Sequence, residues 1–143
     1  MQSLTLYIDG GSRGNPGPAG YGVVITDEAG HTVGTLHRYL GRQTNNYAEY
    51  SALLAGLECA REMGAARVRV VADSELLVRQ MQGRYQVRSP LLRPLYEQAR
   101  ARAGQFEQFE IGHVRREKNR EADKLANLAM DEGSQPSPQI SIG

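Results

Sequence analysis

The order of strand-like and helix-like segments limits the fold of this 143-residue chain more than any other feature. Three short segments with strand-like apolar patterns come first, at 4–9, 21–27 and 31–40. A helical pattern begins at Asn46, and RVRVVADSELLVRQMQG (67–83) then predicts a strand followed by a helix. Because a strand–helix–strand–helix order requires crossover connections, it favours parallel pairing. We therefore predict an α/β fold that opens as an antiparallel meander.

Glycine, proline and serine residues predict where several elements begin and end. The glycine- and proline-rich segment 10–20 predicts a long turn after the first strand, and Gly64 is a plausible stop for the first helix. Ser89-Pro90 predicts the start of the third helix, with Pro94 kinking or delaying its first turns. FEQFEIGHV reads as a fifth strand, and Ala122, Leu125, Ala126 and Ala129 space a last helix.

Composition indicates one domain, which we place at residues 1–131, followed by a loose polar tail at 132–143. We expect a cytoplasmic protein without a membrane segment, because there is neither a long apolar stretch nor a secretory signal. The single cysteine, Cys59, excludes a disulfide framework and a thiolate metal cluster. A net charge of +1 gives little overall attraction for nucleic acid, so any such binding must be local.

Four acidic residues stand at the ends of predicted elements: Asp9, Glu49, Asp73 and Asp123. Functional sites in open α/β sheets gather at the carboxyl ends of strands, so these carboxylates can converge. Hard divalent cations prefer oxygen ligands, and a pair of them can activate water for phosphodiester hydrolysis. Zinc spacings, a phosphate-binding loop and a serine nucleophile elbow are all missing from the sequence, which weakens competing catalytic schemes.

Each acid also has a structural interpretation. Asn46 and Glu49 fit a capping box, Asp73 can cap the helix that starts near Ser74, and the helix dipole favours Asp123 in a first turn. Asp9 has no evident capping role, because it closes an apolar strand before a glycine turn. The acids thus remain open to both interpretations when each is taken alone.

Four motifs together resemble the ordered motifs of the type 1 ribonuclease H family: YIDGGSRGNPGPAGYG, TNNYAEY, ADSELLVRQ and NREADKLANLA. The resemblance spans roughly residues 4 to 131. It implies a ribonuclease H-like fold, a five-stranded mixed sheet flanked by helices in which three antiparallel strands precede two parallel ones. It also implies cleavage of the RNA strand of RNA/DNA hybrids, which leaves 5′-phosphate and 3′-hydroxyl ends.

The resemblance assigns roles to individual residues. Asp9, Glu49, Asp73 and Asp123 match the family's catalytic acids, which would bind two Mg²⁺ or Mn²⁺ ions. The family's hybrid-contacting positions fall on seven residues: Gly10, Gly11, Ser12, Asn15, Thr44, Asn45 and Asn46. Asn and Ser side chains beside exposed backbone can read the 2′-hydroxyls of RNA. A plain turn is the alternative interpretation of the 10–20 segment.

The chain departs from the family at several points. GRYQVRSPLLRPLYE leaves no room for the basic, aromatic-rich protrusion of many members. The catalytic motifs start within a few residues of Met1, so we expect no N-terminal hybrid-binding module. We therefore expect a short-loop branch with weaker substrate binding and low processivity. Glu75 stands where glutamine is common in the family, so its carboxylate either repels phosphate or points away.

The family's mobile catalytic histidine has no clear counterpart. His113 precedes Asp123 by ten residues but falls within the predicted last strand. Arg116 lies in the following loop, where its guanidinium can hold the scissile phosphate or aid product release. His113 as a proton shuttle and Arg116 as a solvated loop residue both remain open.

We expect the chain to cleave hybrids as a monomer. Three other functions are alternatives to hybrid cleavage. The first is another nuclease on the same fold, cutting double-stranded RNA or acting on DNA as integrases do. The second is a non-catalytic hybrid-binding module, which would be expected to have lost at least one of the four acids. The third is an α/β domain without a nucleic-acid role, which leaves the order of the four motifs unexplained.

Overall fold

The fold is a five-stranded mixed sheet in the order β3-β2-β1-β4-β5, with helices on both faces. The computed structural model describes residues 2–134, with only the backbone of Ser134. The strands are β1 (Gln2–Ser12), β2 (Gly17–Thr26), β3 (Thr32–Gln43), β4 (Ala65–Ala72) and β5 (Gln108–His113). The helices are α1 (Asn45–Glu62), α2 (Glu75–Met81), α3 (Arg93–Ala103) and α4 (Arg120–Ser134), with a short 3-10 turn at Arg116–Lys118.

Strand pairing confirms the predicted mixed sheet. β1 pairs antiparallel with β2, and β2 pairs antiparallel with β3. On its other side β1 pairs parallel with β4, which pairs parallel with β5. The central strand β1 therefore joins the meander to the crossover half of the fold.

The main hydrophobic core lies between one face of the sheet and helices α1, α2 and α3. Alternate residues of β1, among them Leu4, Leu6 and Ile8, are buried in this core with Leu53 and Leu57 of α1. The opposite face of β2 receives α4, whose Ala122, Ala126 and Ala129 are buried there, as their helical spacing predicted.

Gly22 allows α4 to approach β2 at backbone distance. A Cβ at this position would lie 2.4 Å from the carbonyl oxygen of Ala122 and 2.7 Å from the nitrogen of Ala126. Both contacts are with the first turns of α4, which also carry Asp123. A glycine in β2 thus fixes where this helix begins on the sheet.

Two sequence predictions of where elements begin or end were wrong. The sequence predicted a long turn over residues 10–20, but β1 continues to Ser12. Gly10, Gly11 and Ser12 pair with β2, so the turn between the strands is short. The third helix begins at Arg93 rather than at Ser89-Pro90; Pro94 lies in its first turn, where a missing N–H costs nothing. The predicted domain boundary at residue 131 falls inside α4, which continues to Ser134.

The other boundaries follow the sequence closely. The first helix ends at Glu62, followed by Met63 and then Gly64 with a φ of 79°. The partly buried Cys59 packs against the main core. No helix in residues 2–134 combines the length and the apolar character that a membrane crossing requires. The remainder of the predicted tail, at 135–143, lies outside the described residues.

The contact between Gly22 and α4 predicts a difference between two glycine substitutions in neighbouring strands. Gly22→Ala should lower the free energy of unfolding by about 3 kcal/mol, because backbone atoms of α4 block the added methyl group. Gly34→Ala in β3 is the matched control, since its Cβ would meet only Ile25 Cδ1 at 3.7 Å. The control should change stability by less than about 0.5 kcal/mol. Urea denaturation measures both; equal losses would contradict the role assigned to Gly22.

Candidate active site

Carboxylates from three separate elements meet at one end of the sheet. The parallel register of β1 and β4 ends at Ile8 and Ala72, so Asp9, within β1, and Asp73, directly after β4, lie at the same end of this strand pair. Oxygen atoms of Asp9, Glu49 and Asp73 all lie within 4.8 Å of one another. Asp9 and Glu49 are buried, and Asp73 is half-buried. Oxygen ligands at this spacing can hold a metal ion.

Gly10 explains how Glu49 reaches this position. A Cβ on Gly10 would lie 2.3 Å from the carbonyl carbon of Ala48 and 2.6 Å from the nitrogen of Glu49. Only a glycine therefore allows β1 and α1 to touch backbone to backbone here. The Gly10 backbone N–H donates to the Glu49 carboxylate, so the same residue makes space for the acid and binds it.

Capping does not explain two of the acids. Thr44 is the N-cap of α1 and accepts a hydrogen bond from the Tyr47 nitrogen at 3.1 Å, so the predicted capping box is wrong. Glu49 lies one turn further along, and its Oε2 is buried with no hydrogen-bond partner among the described residues. Ser74 caps α2, so Asp73 is not the cap either.

Asp123 completes the acidic set from the start of α4. It lines the same cleft, of about 450 Å³, and its side chain lies within hydrogen-bonding reach of Asp9. The Arg116 Nη2 donates to the Asp123 Oδ1 at 3.1 Å, which neutralises part of the acidic charge. The first-turn position remains favourable for Asp123 because of the helix dipole.

Burial and mutual repulsion raise the pKa values of three carboxyl groups in this cluster. Burial, followed by the charge of Asp73 and interactions with Asp123, raises the pKa of Asp9 from 3.8 to about 8. Burial and the charges of Asp9 and Asp73 raise the pKa of Glu49 well above its ordinary value. Burial also raises the pKa of Asp73. Ionisation of this cluster requires a compensating positive charge, so a divalent cation fits the donor set and the unpartnered Glu49 oxygen.

Asn119 is a site residue that the sequence interpretation missed. Its side chain is buried, and its Nδ2 donates to the Ile8 carbonyl oxygen at 2.7 Å. A hydrogen bond from the same side chain to Asp73 lowers the pKa of that acid, opposing the effect of burial. In sequence, an Asn directly before a helix indicates only a cap. Asn119 ties Ile8 of β1 to Asp73, the carboxylate that follows β4.

The predicted substrate-binding residues form a network beside the acids. The Ser12 nitrogen donates to the Asn45 Oδ1 at 2.7 Å, and the Asn45 nitrogen donates to the Asn15 Oδ1 at 3.1 Å. Gly10 and Gly11 line the acidic cleft together with Ser12 and Asn45.

Thr44 and Asn46 lie next to Asn45 at the start of α1 and are partly buried. They are not among the residues that line the cleft. The structure thus groups five of the seven predicted contact residues around the β1–β2 turn: Gly10, Gly11, Ser12, Asn15 and Asn45.

His113 is separated from the cleft. It is the last residue of β5 and lines another depression with Glu75, Arg79 and Arg84. Arg116, in contrast, lines the acidic cleft. Glu75 forms an ion pair with Arg79 at 2.7 Å, so its carboxylate is engaged within α2.

Comparison with known proteins identifies the same architecture. Residues 7–129 match the family model described as reverse transcriptase-like. A bifunctional protein of Mycobacterium tuberculosis is 49% identical over 133 residues, which cover 92% of this chain and 36% of the relative. Ribonuclease HI of Halobacterium salinarum is 42% identical over 88% of this chain and 63% of the relative. The chain thus spans only 36% of the length of the M. tuberculosis protein and 63% of the length of the H. salinarum protein.

Two solved structures are similar to this chain in fold and sequence. The N-terminal RNase H domain of the M. tuberculosis protein, solved as a fusion with maltose-binding protein, has a TM-score of 0.92 at 46% identity, covering 94% of this chain and 98% of that one. LC11-RNase H1, solved with an RNA/DNA hybrid, has a TM-score of 0.88 at 44% identity, covering 92% and 99%. On this family match and on these similarities in sequence and fold, the chain belongs to the reverse transcriptase-like family, as a type 1 ribonuclease H domain.

Proposed function

We propose that the chain is an endoribonuclease that hydrolyses the RNA strand of RNA/DNA hybrids. The observation that carries this proposal is the cleft in which Asp9, Glu49 and Asp73 converge beside the Ser12–Asn45–Asn15 network. The resemblance to LC11-RNase H1, which was solved with such a hybrid, supports the choice of substrate. The products would carry 5′-phosphate and 3′-hydroxyl ends.

Two divalent cations, Mg²⁺ or Mn²⁺, fit the proposed reaction. Asp9, Glu49, Asp73 and Asp123 would hold them, with Asp9 at the centre of the cluster. Such cations, when bound, lower the pKa of water and stabilise negative charge on the leaving oxygen. The crowded, buried carboxylates support this assignment. When they ionise, the protein alone offers too little positive charge nearby to balance them, and bound cations would supply it.

The protein's own residues position these carboxylates and limit their repulsion. The Gly10 N–H holds Glu49, Asn119 holds Asp73, and Arg116 holds Asp123. Because Arg116 is largely exposed and stands at the mouth of the cleft, we propose that it also contacts the scissile phosphate. His113 has no proposed role in proton transfer, since it faces a different depression.

Recognition of RNA is proposed to occur at the β1–β2 turn. Polar side chains and glycine-exposed backbone there can bind the 2′-hydroxyls that distinguish RNA from DNA. Ser12 Oγ, Asn15 and Asn45 are the candidate contacts, and Thr44 and Asn46 flank them. All proposed groups come from one chain, so we propose that a monomer is sufficient for activity.

Substitution of Asp9 tests the proposed chemistry. Asp9→Asn should reduce hydrolysis of an end-labelled RNA/DNA hybrid by at least about 100-fold, because it removes the central charged ligand. Glu110→Gln is the control: Glu110 is exposed, and within residues 2–134 its side chain forms one long ion pair, with Arg69 on β4 at 3.8 Å. The control should retain the wild-type rate, and circular dichroism should show both variants folded.

A panel of duplexes identifies the substrate class in the same assay. Wild-type protein with Mg²⁺ or Mn²⁺ should cut RNA only in the hybrid, and a chelator should abolish cutting. Cleavage of double-stranded RNA or DNA would assign another nuclease activity to the fold. Hybrid binding without cleavage under any condition would favour a binding module.

The acidic cluster also predicts the pH dependence of stability without metal. The raised pKa of Asp9 means that the folded state binds more protons than the unfolded chain between pH 3.8 and about 8. The resulting stabilisation is complete below this window and is lost as pH rises through about 8. In chelator, the melting temperature should therefore fall across the window.

Two further measurements attribute this effect to the cluster. Asp9→Asn should flatten the dependence of melting temperature on pH, because it removes one titrating group and the charge that raises the pKa of Glu49. Added Mg²⁺ or Mn²⁺ should raise the melting temperature more at the alkaline end, where the ligands ionise more readily. The same slope in wild type and variant would contradict this account.

A further inference from the structure

Only two of the residues that line the acidic cleft are basic, Arg13 and Arg116. The charge of Arg116 is directed to Asp123 inside the cleft, at 3.1 Å. Arg13 differs because its carboxylate partner, Asp131, lies near the end of α4 and outside the cleft lining. Arg13 is therefore the cation at this cleft whose charge is not directed to a catalytic carboxylate.

The guanidinium of Arg13 is held at one end only. Its Nη2 lies 2.6 Å from the Asp131 Oδ1 and donates to the Asn127 carbonyl oxygen at 3.4 Å. The Nε and Nη1 donors have no partner among the described residues. The backbone is fixed as well, because the Arg13 nitrogen donates to the Pro18 oxygen at 2.9 Å. The side chain is thus anchored, 43% exposed, and keeps free donors.

We propose that Arg13 binds a backbone phosphate of the nucleic acid at the rim of the cleft, and that Asp131 orients its guanidinium for this contact. The inference rests on the proposed function and deepens it. A polyanion that approaches four carboxylates requires positive charge nearby, and arginine suits phosphate because it offers several directed donors.

The position of Arg13 in the chain supports this role. It lies between Ser12 and Asn15, the two proposed RNA contacts on the β1–β2 turn. A phosphate bound there would place the strand against that turn while the acids act on a neighbouring linkage. The alternative is that the ion pair only ties the turn to α4. An exposed ion pair contributes about 0–1 kcal/mol to stability, so this alternative predicts a small stability effect and no effect on binding.

Binding of a fluorescein-labelled RNA/DNA hybrid in chelator tests the proposal without depending on cleavage. Fluorescence anisotropy is measured from about 50 to 200 mM NaCl. Arg13→Gln should weaken binding about tenfold at the lower salt concentration and reduce the slope of log K against log salt by about one. Arg13→Lys should restore the slope, because it keeps the charge, with only part of the affinity.

Arg67→Gln is the matched control for charge. Arg67 is exposed to a similar degree and pairs with Glu28 at 3.9 Å, in the depression at the N-terminal end of β4. Its substitution removes the same charge. The affinity should stay within about twofold of wild type, and the slope of log K against log salt within about 0.3 of the wild-type slope. Equal effects of Arg13→Gln and Arg67→Gln would overturn the proposal, as would unchanged binding by Arg13→Gln.

The orienting role of Asp131 has its own matched pair. Asp131→Asn and Glu132→Gln each remove one acidic charge from the same turn of α4, but only the first releases Arg13; Glu132 contacts His37. Asp131→Asn should bind the hybrid about threefold more weakly than Glu132→Gln. Equal affinities would overturn this part of the proposal.

Hydrolysis with Mg²⁺ separates the two proposals. Arg13→Gln should raise KM with kcat within about twofold of wild type, the pattern of a lost binding contact. Hybrid binding that depends on Arg13 without any cleavage would refute the proposed function and leave this inference standing. Cleavage that does not depend on Arg13 would support the proposed function and overturn this inference. Failure of the wild-type protein to bind the hybrid would overturn both.

Discussion

The backbone contact between β1 and α1 at Gly10 is the constraint on which the candidate site depends. No side chain fits between the two elements there, so the helix lies directly on the strand. This contact brings Glu49 over Asp9, and the Gly10 N–H then holds the glutamate. β1 also joins both halves of the sheet, and its parallel register with β4 fixes Asp9 relative to Asp73.

Electrostatic repulsion is the cost of this arrangement. Burial and mutual charge raise the pKa values of Asp9, Glu49 and Asp73, so the fold holds groups together that would separate in water. Rigid surroundings prevent that separation: α1 is seated in the main core, and α4 is seated on Gly22 of β2. Asn119 adds a buried hydrogen bond to the Ile8 carbonyl oxygen of β1 and a second hydrogen bond to Asp73. The domain thus keeps a destabilised cluster available for cations.

Much of the site could be predicted from the sequence because its motifs are local. Asp9 with its glycines, Asn45 before Glu49, and Asp73 after a β-branched strand each lie within a short continuous segment. The helix-cap alternatives could not be decided there, since Asn46, Thr44 and Ser74 are all plausible caps. Tertiary pairing also overrode a local signal at residues 10–12, where glycines that favour a turn are held extended by β2.

Several features required long-range contacts to become visible. Asn119 lies 111 residues from its acceptor on Ile8, and Arg13 lies 118 positions from Asp131. The sequence also could not separate His113 from Arg116, since both precede the last acid. His113 pairs with Ala72 at the end of the edge strand β5 and lines another depression with residues of α2, whereas Arg116 in the following 3-10 turn lines the cleft.

The sequence by itself determined the order of elements, because periodicity is a property of adjacent residues. The resemblance of its four motifs to a known family predicted the mixed sheet and the four acids. Only the tertiary structure decided which polar groups share the cleft and which carboxylates are buried, because these depend on strand register and on the few places where glycine lets two backbones touch.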